Sequence, residues 1–272
     1  MQPGPSAIGK PQAQTAFQQK RKGKEQLTDL SAYRPICMLD TAEKLLEKII
    51  RPRLLTTFQA AGDLSDRQFG FRRGRFTVDA LQMITEAADK AEIGNRHNWN
   101  IVFVATLDVR NAFNSVSWTR ILAALENTFQ VSEYLLRIME DYFSNRVLVY
   151  DTAEGRRRRE VSAGVAQGSI LGPDLERVLR RHPADQVPNE AFLVCYADDI
   201  AAVFVTCNTE RAQYDLNQIM RRVEKWMDGA GLRLATEKTE IIVLSRRRIP
   251  TEISFKVRIH NILAKSLLST WG

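Results

Sequence analysis

Two apolar runs, AFLVCY (Ala191 to Tyr196) and IAAVFV (Ile200 to Val205), are separated only by Ala197-Asp198-Asp199. Short runs of this kind read as strands buried on both faces, and so small a gap can join them only through a tight hairpin. A third such run, IVFVATL (Ile101 to Leu107), ends in Asp108. Helical spacing fills the intervals. Helices are predicted over Ser117 to Asn127 and Ser132 to Phe143, each opened by a serine placed to cap it. Another covers Glu210 to Asp228, with Leu216, Ile219, Met220, Val223, Trp226 and Met227 on one face and a stop at Gly229. Arg146 to Asp151 and Arg156 to Ala163 flank a Glu154-Gly155 turn as a further hairpin, and Ile241 to Leu244 is a final strand. Stripped of insertions, the order β, α, β, β, α, β predicts an α+β fold with a split βαβ, ferredoxin-like antiparallel sheet.

The N-terminal third is less regular. Met1 to Lys24 is rich in Gln, Pro, Gly, Ala and Lys without a hydrophobic period, so a mobile basic leader is expected there, with folded chain from about Leu27. In TAEKLLEKII, starting at Thr41, Leu45, Leu46, Ile49 and Ile50 fall at helical spacing, and Pro52 is expected to kink or interrupt the helix before Leu54 and Leu55. A loop dense in Gly, Arg and Phe, QFGFRRGRF, precedes a helix over Val78 to Ala91, with Asp79 in its first turn and Leu81, Ile84 and Ala88 on one face. With 272 residues, 44% of them apolar, the chain has enough material for one large core or two small ones and is not a disordered tail. Its net charge of +7 favours a polyanionic partner such as nucleic acid. Cys37, Cys195 and Cys207 lie far apart, which excludes a disulfide scaffold or zinc finger and suits a reducing compartment. The longest apolar stretches fall far short of the ~20 residues of a membrane span, and no signal-peptide core is present, so an intracellular protein without a membrane partner is expected.

Asp108 ends one strand, while Asp198 and Asp199 occupy the turn between two others; in the predicted sheet these strands are neighbours. Three carboxylates at one edge repel one another unless cations lie among them. Hard Mg²⁺ takes oxygen ligands from protein and phosphate together. Two such ions can activate an attacking hydroxyl and stabilise a leaving oxygen in phosphoryl transfer. The bland alternative is that Asp is simply common in hairpin turns.

Six segments in order carry a resemblance. DVRNAF (Asp108 to Phe113), AQGSILGP (Ala166 to Pro173) and YADD (Tyr196 to Asp199) resemble three successive palm motifs of reverse transcriptases. YRPICMLDTAEKLLEKII, QFGFRRGRFTVDAL and GLRLATEKTE resemble the non-long-terminal-repeat, LINE-type retrotransposon branch. The resemblance spans roughly Leu30 to Leu244. It implies RNA-directed DNA polymerase activity, with transfer of dNTPs onto a primer 3′-hydroxyl. It further implies a right-hand fingers and palm architecture, and Asp108, Asp198 and Asp199 as ligands of two Mg²⁺, for which Mn²⁺ can substitute. RNA template, DNA primer and dNTPs are the implied partners, and a nuclear ribonucleoprotein the implied setting; the oligomeric state is not legible.

Other residues keep two readings each. Phe113 is an aromatic beyond the strand end, either a core side chain or, by resemblance, the steric gate against ribonucleotides. Gln167 and Gly168 form either a plain glycine-bearing loop or a place where backbone and amide approach sugar or base. Arg34 resembles the arginine that meets the triphosphate, a role suited to a planar guanidinium; the alternative is a surface arginine. Arg72, Arg73 and Arg75, interleaved with Phe69, Phe71 and Phe76, track a template backbone or belong to a packed loop. Lys238 matches a lysine near the leaving pyrophosphate, a candidate proton donor. The runs Arg156 to Arg159 and Arg246 to Arg248 are solvated surface by default.

Three departures from the pattern accompany these matches. FQQKRKGKEQ replaces an apolar strand before Tyr33, ERVLRRHPADQV replaces an apolar helix after Leu175, and the chain ends where a thumb would begin. The expected organisation is a leader (1–26), partial fingers (27–100), palm with a fingers insertion (101–245) and a truncated junction with the thumb absent (246–272), as in a fragment or eroded copy. A catalytically inactive nucleic-acid-binding remnant is therefore the rival function. An RNA-dependent RNA polymerase is the third reading, against which Phe113 and Ala197 argue.

Overall fold

The computed structural model describes residues 13–19, 33–62, 65–93, 99–110, 112–179, 191–197, 199–246 and 253–266. In chain order the elements are β1 (Ala13–Gln19), β2 (Tyr33–Met38), α1 (Thr41–Ala60), α2 (Thr77–Ala91), β3 (Ile101–Leu107), α3 (Ala112–Ser115), α4 (Trp118–Asn127), α5 (Glu133–Phe143), β4 (Val147–Thr152), β5 (Gly155–Glu160), α6 (Gly172–Val178), β6 (Ala191–Tyr196), β7 (Asp199–Thr206), α7 (Thr209–Ala230), β8 (Glu240–Leu244), β9 (Ser254–Val257), β10 (His260–Leu263) and β11 (Lys265–Ser266). They divide into two compact units, Met1–Asp63 with Phe113–Val178, and Leu64–Ala112 with Leu179–Gly272. Among the described residues no helix is long and apolar enough to cross a membrane.

The second unit is built on a sheet with strand order β11-β8-β3-β7-β6. The predicted strands are all present. β3 lies antiparallel to both β7 and β8, with Val104 opposite Val203 on one side and Ile242 on the other. Alternation along β3 serves two cores. Phe103 stacks on Phe204, with ring centroids 5.3 Å apart, and meets the edge of Phe255 at 5.2 Å. Val102 and Val104 pack with Val194, Val203 and Phe69 against Ala80 and Ala91 of α2. Each such side chain contributes about 1.5–3 kcal/mol when buried, so the continuous apolar run fixes β3 as the central strand.

Two expectations here need correction. Leu81, expected on the buried face of α2, is 58% exposed, whereas Ile84 and Ala88 do face the core, joined by Met83 and Ala87. The helix α7 does not stop at Gly229; it continues to Ala230 and is capped by Gly231 at φ +74°. A glycine within a helix costs only about 1 kcal/mol, whereas the left-handed cap needs the freedom of Gly231.

The first unit carries a sheet of order β2-β1-β4-β5. Residues 13–19, expected within an unstructured leader, form β1, antiparallel to β2 through Phe17 opposite Pro35 and parallel to β4. Backbone pairing needs no hydrophobic period, which is why the period gave no sign of it. The turn between β4 and β5 is Ala153-Glu154, since Thr152 pairs with Gly155, and all six residues of β5 are exposed. Ser117 and Ser132 occupy the N-cap positions of α4 and α5, but neither side chain makes the capping hydrogen bond.

The helix α1 departs most from expectation. It runs unbroken across Pro52, where only the carbonyl one turn back loses its donor. Its buried face is Glu43, Glu47, Ile50, Leu54 and Phe58, while Leu45, Leu46 and Ile49 are exposed. Two glutamates thus replace two leucines on the core side because the first unit holds partners for them.

Candidate functional site

In the second unit, Leu107 pairs with Ile200 as the last pair of the β3–β7 ladder, and Asp108 and Asp199 are the residues next to that pair on the two strands. Strand parity puts both on the face of Thr106 and Ala201. Tyr196 pairs with Asp199, which leaves a two-residue turn whose first member, Ala197, has φ +53°. Asp198 lies outside the described residues.

Asp108 is held at both ends. Its carbonyl accepts the Ala235 N–H at 2.8 Å, the Arg110 N–H donates to Arg233 at 2.8 Å, and Val109 bridges to Leu234. The GLRLATEKTE segment therefore extends the ladder beside the end of β3 and delivers Lys238, whose Nζ lies 2.7 Å from Asp108 Oδ2. Arg110 pairs with Glu237 at 2.6 Å. Glu237's own backbone N–H, and then Arg110, hold that carboxyl below the ordinary range. Asp108 retains 34% side-chain exposure and Asp199 is exposed. Hard oxygen donors reachable from solvent, one already in contact with an ammonium cation, suit a divalent cation. Among the described residues no cluster of three such ligands occurs.

The QFGFRRGRF loop braces this edge. The Phe69 N–H donates to Cys195 at 2.8 Å and the Cys195 N–H to Arg67 at 2.9 Å, so residues 67–69 run beside β6 as a short parallel partner. A Cβ on Gly70 would sit 2.0 Å from the Ala197 nitrogen, so only glycine lets this loop abut the turn. Residue spacing carries no signal for that contact. Phe69 is buried, whereas Phe71 is 53% and Phe76 65% exposed. Arg72 donates to the carbonyls of Ser65 at 2.7 Å and Gln68 at 3.2 Å, which makes it a brace within the loop. Arg75 pairs with Asp66 at 2.8 Å and lies over the Phe69 ring, while Arg73 is exposed.

In the first unit, Gln167 accepts the Cys37 N–H at 3.0 Å, and Gly168 has φ +110° with its Cβ position 3.0 Å from the Cys37 carbonyl. The close approach that glycine permits is thus to β2. Arg34 lies on β2 opposite Gln18 and Phe113 lies in α3; their side chains lie outside the described ones. Sequence reading missed what anchors the loop after Gly168. Glu47, fully buried, accepts from Ser169 Oγ at 2.6 Å, from the Ile170 N–H at 2.7 Å and from Tyr142 Oη at 2.5 Å. Burial, ahead of the neighbouring charges, raises the Tyr142 phenol well above its ordinary value. Burial likewise raises Glu43 despite its ion pair with Arg146. Within α6, Asp174 accepts from Arg51 at 2.6 Å and from Arg177, and residues 180–187 of the ERVLRRHPADQV segment lie outside the described residues.

A family model described as reverse transcriptase (RNA-dependent DNA polymerase) matches residues 19–260. A probable RNA-directed DNA polymerase from transposon BS of Drosophila melanogaster is 30% identical over 217 residues, 76% of this chain and 23% of that relative. The RNA-directed DNA polymerase from mobile element jockey of the same organism is 27% identical over 81% of this chain and 24% of its own length. This chain therefore spans about a quarter of the relatives it matches. Among solved structures, apo telomerase from Candida tropicalis truncated of its C-terminal domain superposes with TM-score 0.61 at 12% identity, covering 93% of this chain and 53% of that one. The same telomerase in complex with a fragment of telomeric RNA gives 0.62 at 13% identity, over 85% and 41%. The fold is thus of mixed helix and sheet, polymerase-like.

Proposed function

Since the chain belongs to the reverse transcriptase family, of the kind found in non-long-terminal-repeat retrotransposons, we propose that it is an RNA-directed DNA polymerase domain that adds dNTPs to a primer 3′-hydroxyl. The observation that carries the reading is the position of Asp108 and Asp199 next to the last pair of one ladder, with the Lys238 ammonium on Asp108. The sheet order β8-β3-β7-β6 supports a ferredoxin-like palm within residues 101–245, with residues 27–100 as fingers. Asp108, Asp198 and Asp199 are the proposed ligands of two divalent ions, Mg²⁺ in this reading. Bound there, such ions would lower the barrier to in-line phosphoryl transfer. Lys238 neutralises Asp108 and offers a proton near the leaving phosphate. Arg34, Phe113, Gln167 and Gly168 are the proposed dNTP contacts, with Phe113 excluding a 2′-hydroxyl. Of the template candidates, Arg73 suits phosphate contact best, because Arg72 and Arg75 are engaged within the loop.

Primer extension on an RNA template, with dNTPs and then rNTPs, tests the reading. Extension with dNTPs that Asp108→Asn abolishes is the expected result. Extension by that variant at the unmodified rate overturns the two-ion proposal. Nucleic-acid binding without any extension supports the rival binding remnant.

A further inference from the structure

We propose that Glu47 is a positioning residue for nucleotide binding: its buried carboxylate sets the loop that presents Gln167 and Gly168. This inference rests on the polymerase reading above. Glu47 is fully buried, yet its partners consist of one phenol, one hydroxyl and one backbone N–H. Oε1 takes both the Tyr142 and Ser169 hydroxyls, and Oε2 takes the Ile170 N–H. Ser169 Oγ passes the grip forward by accepting the N–H groups of Leu171 at 3.1 Å and Gly172 at 2.9 Å. One carboxylate therefore orders four consecutive residues directly after Gly168. On the other side, Gln167 and Gly168 meet the backbone of Cys37. Cys37 and Glu47 belong to consecutive elements, β2 and α1, so the loop is clamped between a strand edge and the helix that follows it.

The chemistry separates this role from plain packing. A carboxylate offers acceptors on both oxygens, while glutamine offers one acceptor and one donor. In Glu47→Gln, the amide NH₂ must face either the Ile170 N–H or the two hydroxyls. The first option sets donor against donor and releases the loop. The second leaves the phenol and the Ser169 hydroxyl to turn away as acceptors, which breaks the relay to Leu171 and Gly172. Tyr142→Phe, by contrast, removes one donor to Oε1 whose own link to the loop is a single long hydroxyl–hydroxyl contact, 3.5 Å to Ser169 Oγ.

The experiment compares the unmodified chain, Glu47→Gln, Tyr142→Phe and Ser169→Ala in steady-state primer extension, thermal melting and amide hydrogen exchange. A lost charge-assisted bond of this kind corresponds to about a ten-fold effect. We expect the dNTP KM to rise about ten-fold in Glu47→Gln with kcat changed less than about two-fold. Ser169→Ala should show a rise in the same direction, and Tyr142→Phe should lose thermal stability with KM unchanged. An unchanged KM in folded Glu47→Gln, or an equal rise in Tyr142→Phe, overturns the proposal. If Glu47→Gln does not fold, Ser169→Ala decides by the same criterion. Amide exchange needs no polymerisation: faster exchange at 169–172 in Glu47→Gln supports the clamp even if the unmodified chain fails to extend a primer, an outcome that would sink the polymerase reading instead. Exchange as slow as in the unmodified chain overturns the clamp.

Discussion

Replacing Gly70 with alanine should disable the chain through backbone geometry alone. The added Cβ would lie 2.0 Å from the Ala197 nitrogen, 2.8 Å from its Cα and 2.9 Å from the Tyr196 carbonyl carbon. All three are backbone atoms of the turn, so no side chain can rotate away. Restoring an ordinary contact requires about 1.4 Å of movement. That movement carries residues 67–69 out of reach of the two hydrogen bonds to Cys195. Two backbone hydrogen bonds at roughly 1 kcal/mol each, with about 1–3 kcal/mol for an overfilled site, give a loss of roughly 3–5 kcal/mol. Urea denaturation, read as a shift in midpoint at constant slope, measures it. Gly229→Ala is the matched contrast: nothing lies within 4 Å of its Cβ position, it sits inside α7, and helix propensity predicts a gain of about 1 kcal/mol. A Gly70→Ala chain as stable as the unmodified one, or a Gly229→Ala chain destabilised as a helix stop would be, refutes the reasoning.

Glu43 has a folded-state pKa raised by burial above the ordinary value of 4.5, so its contribution is fully present below that value and is lost as pH rises through the folded one. The stability of Glu43→Gln relative to the unmodified chain should accordingly improve with pH from about 4.5 upward, measured by urea midpoints at successive pH values; a difference that shrinks contradicts the assignment. Shortening Phe113 to valine should raise ribonucleotide over deoxynucleotide incorporation, read as a ratio of kcat/KM values, and an unchanged ratio in a folded, active variant removes it from the site. Binding to nucleic acid should weaken steeply with salt as counterions are released; fluorescence anisotropy showing no binding even at low salt would count against both nucleic-acid readings.

The parts legible in the sequence are those whose pattern is local. β3, β6 and β7 announced themselves as continuous apolar runs, and the carboxylates at their ends followed from run length alone. The face of α1 was illegible because Glu47 is buried by Tyr142 and Ser169, each more than ninety residues away. No periodicity records such partners, and Leu45 and Leu46, which periodicity favoured, are left outside. β1 escaped notice because it is held by backbone pairing. Gly70 escaped for a related reason: its requirement is set by Ala197, across the sheet edge.

The β6–β7 and β4–β5 hairpins tolerate changes of length very differently. Side chains alternate faces along a strand, so one residue gained or lost between Tyr196 and Asp199 would turn that carboxylate to the opposite side of β7 or slide the whole ladder against β3. The turn at Ala153-Glu154 joins a strand whose six residues all face solvent, and extra residues there displace nothing buried. A peptide tag or fluorophore loop inserted after Ala153 should leave the chain functional, whereas a single-codon insertion after Ala197 should silence it.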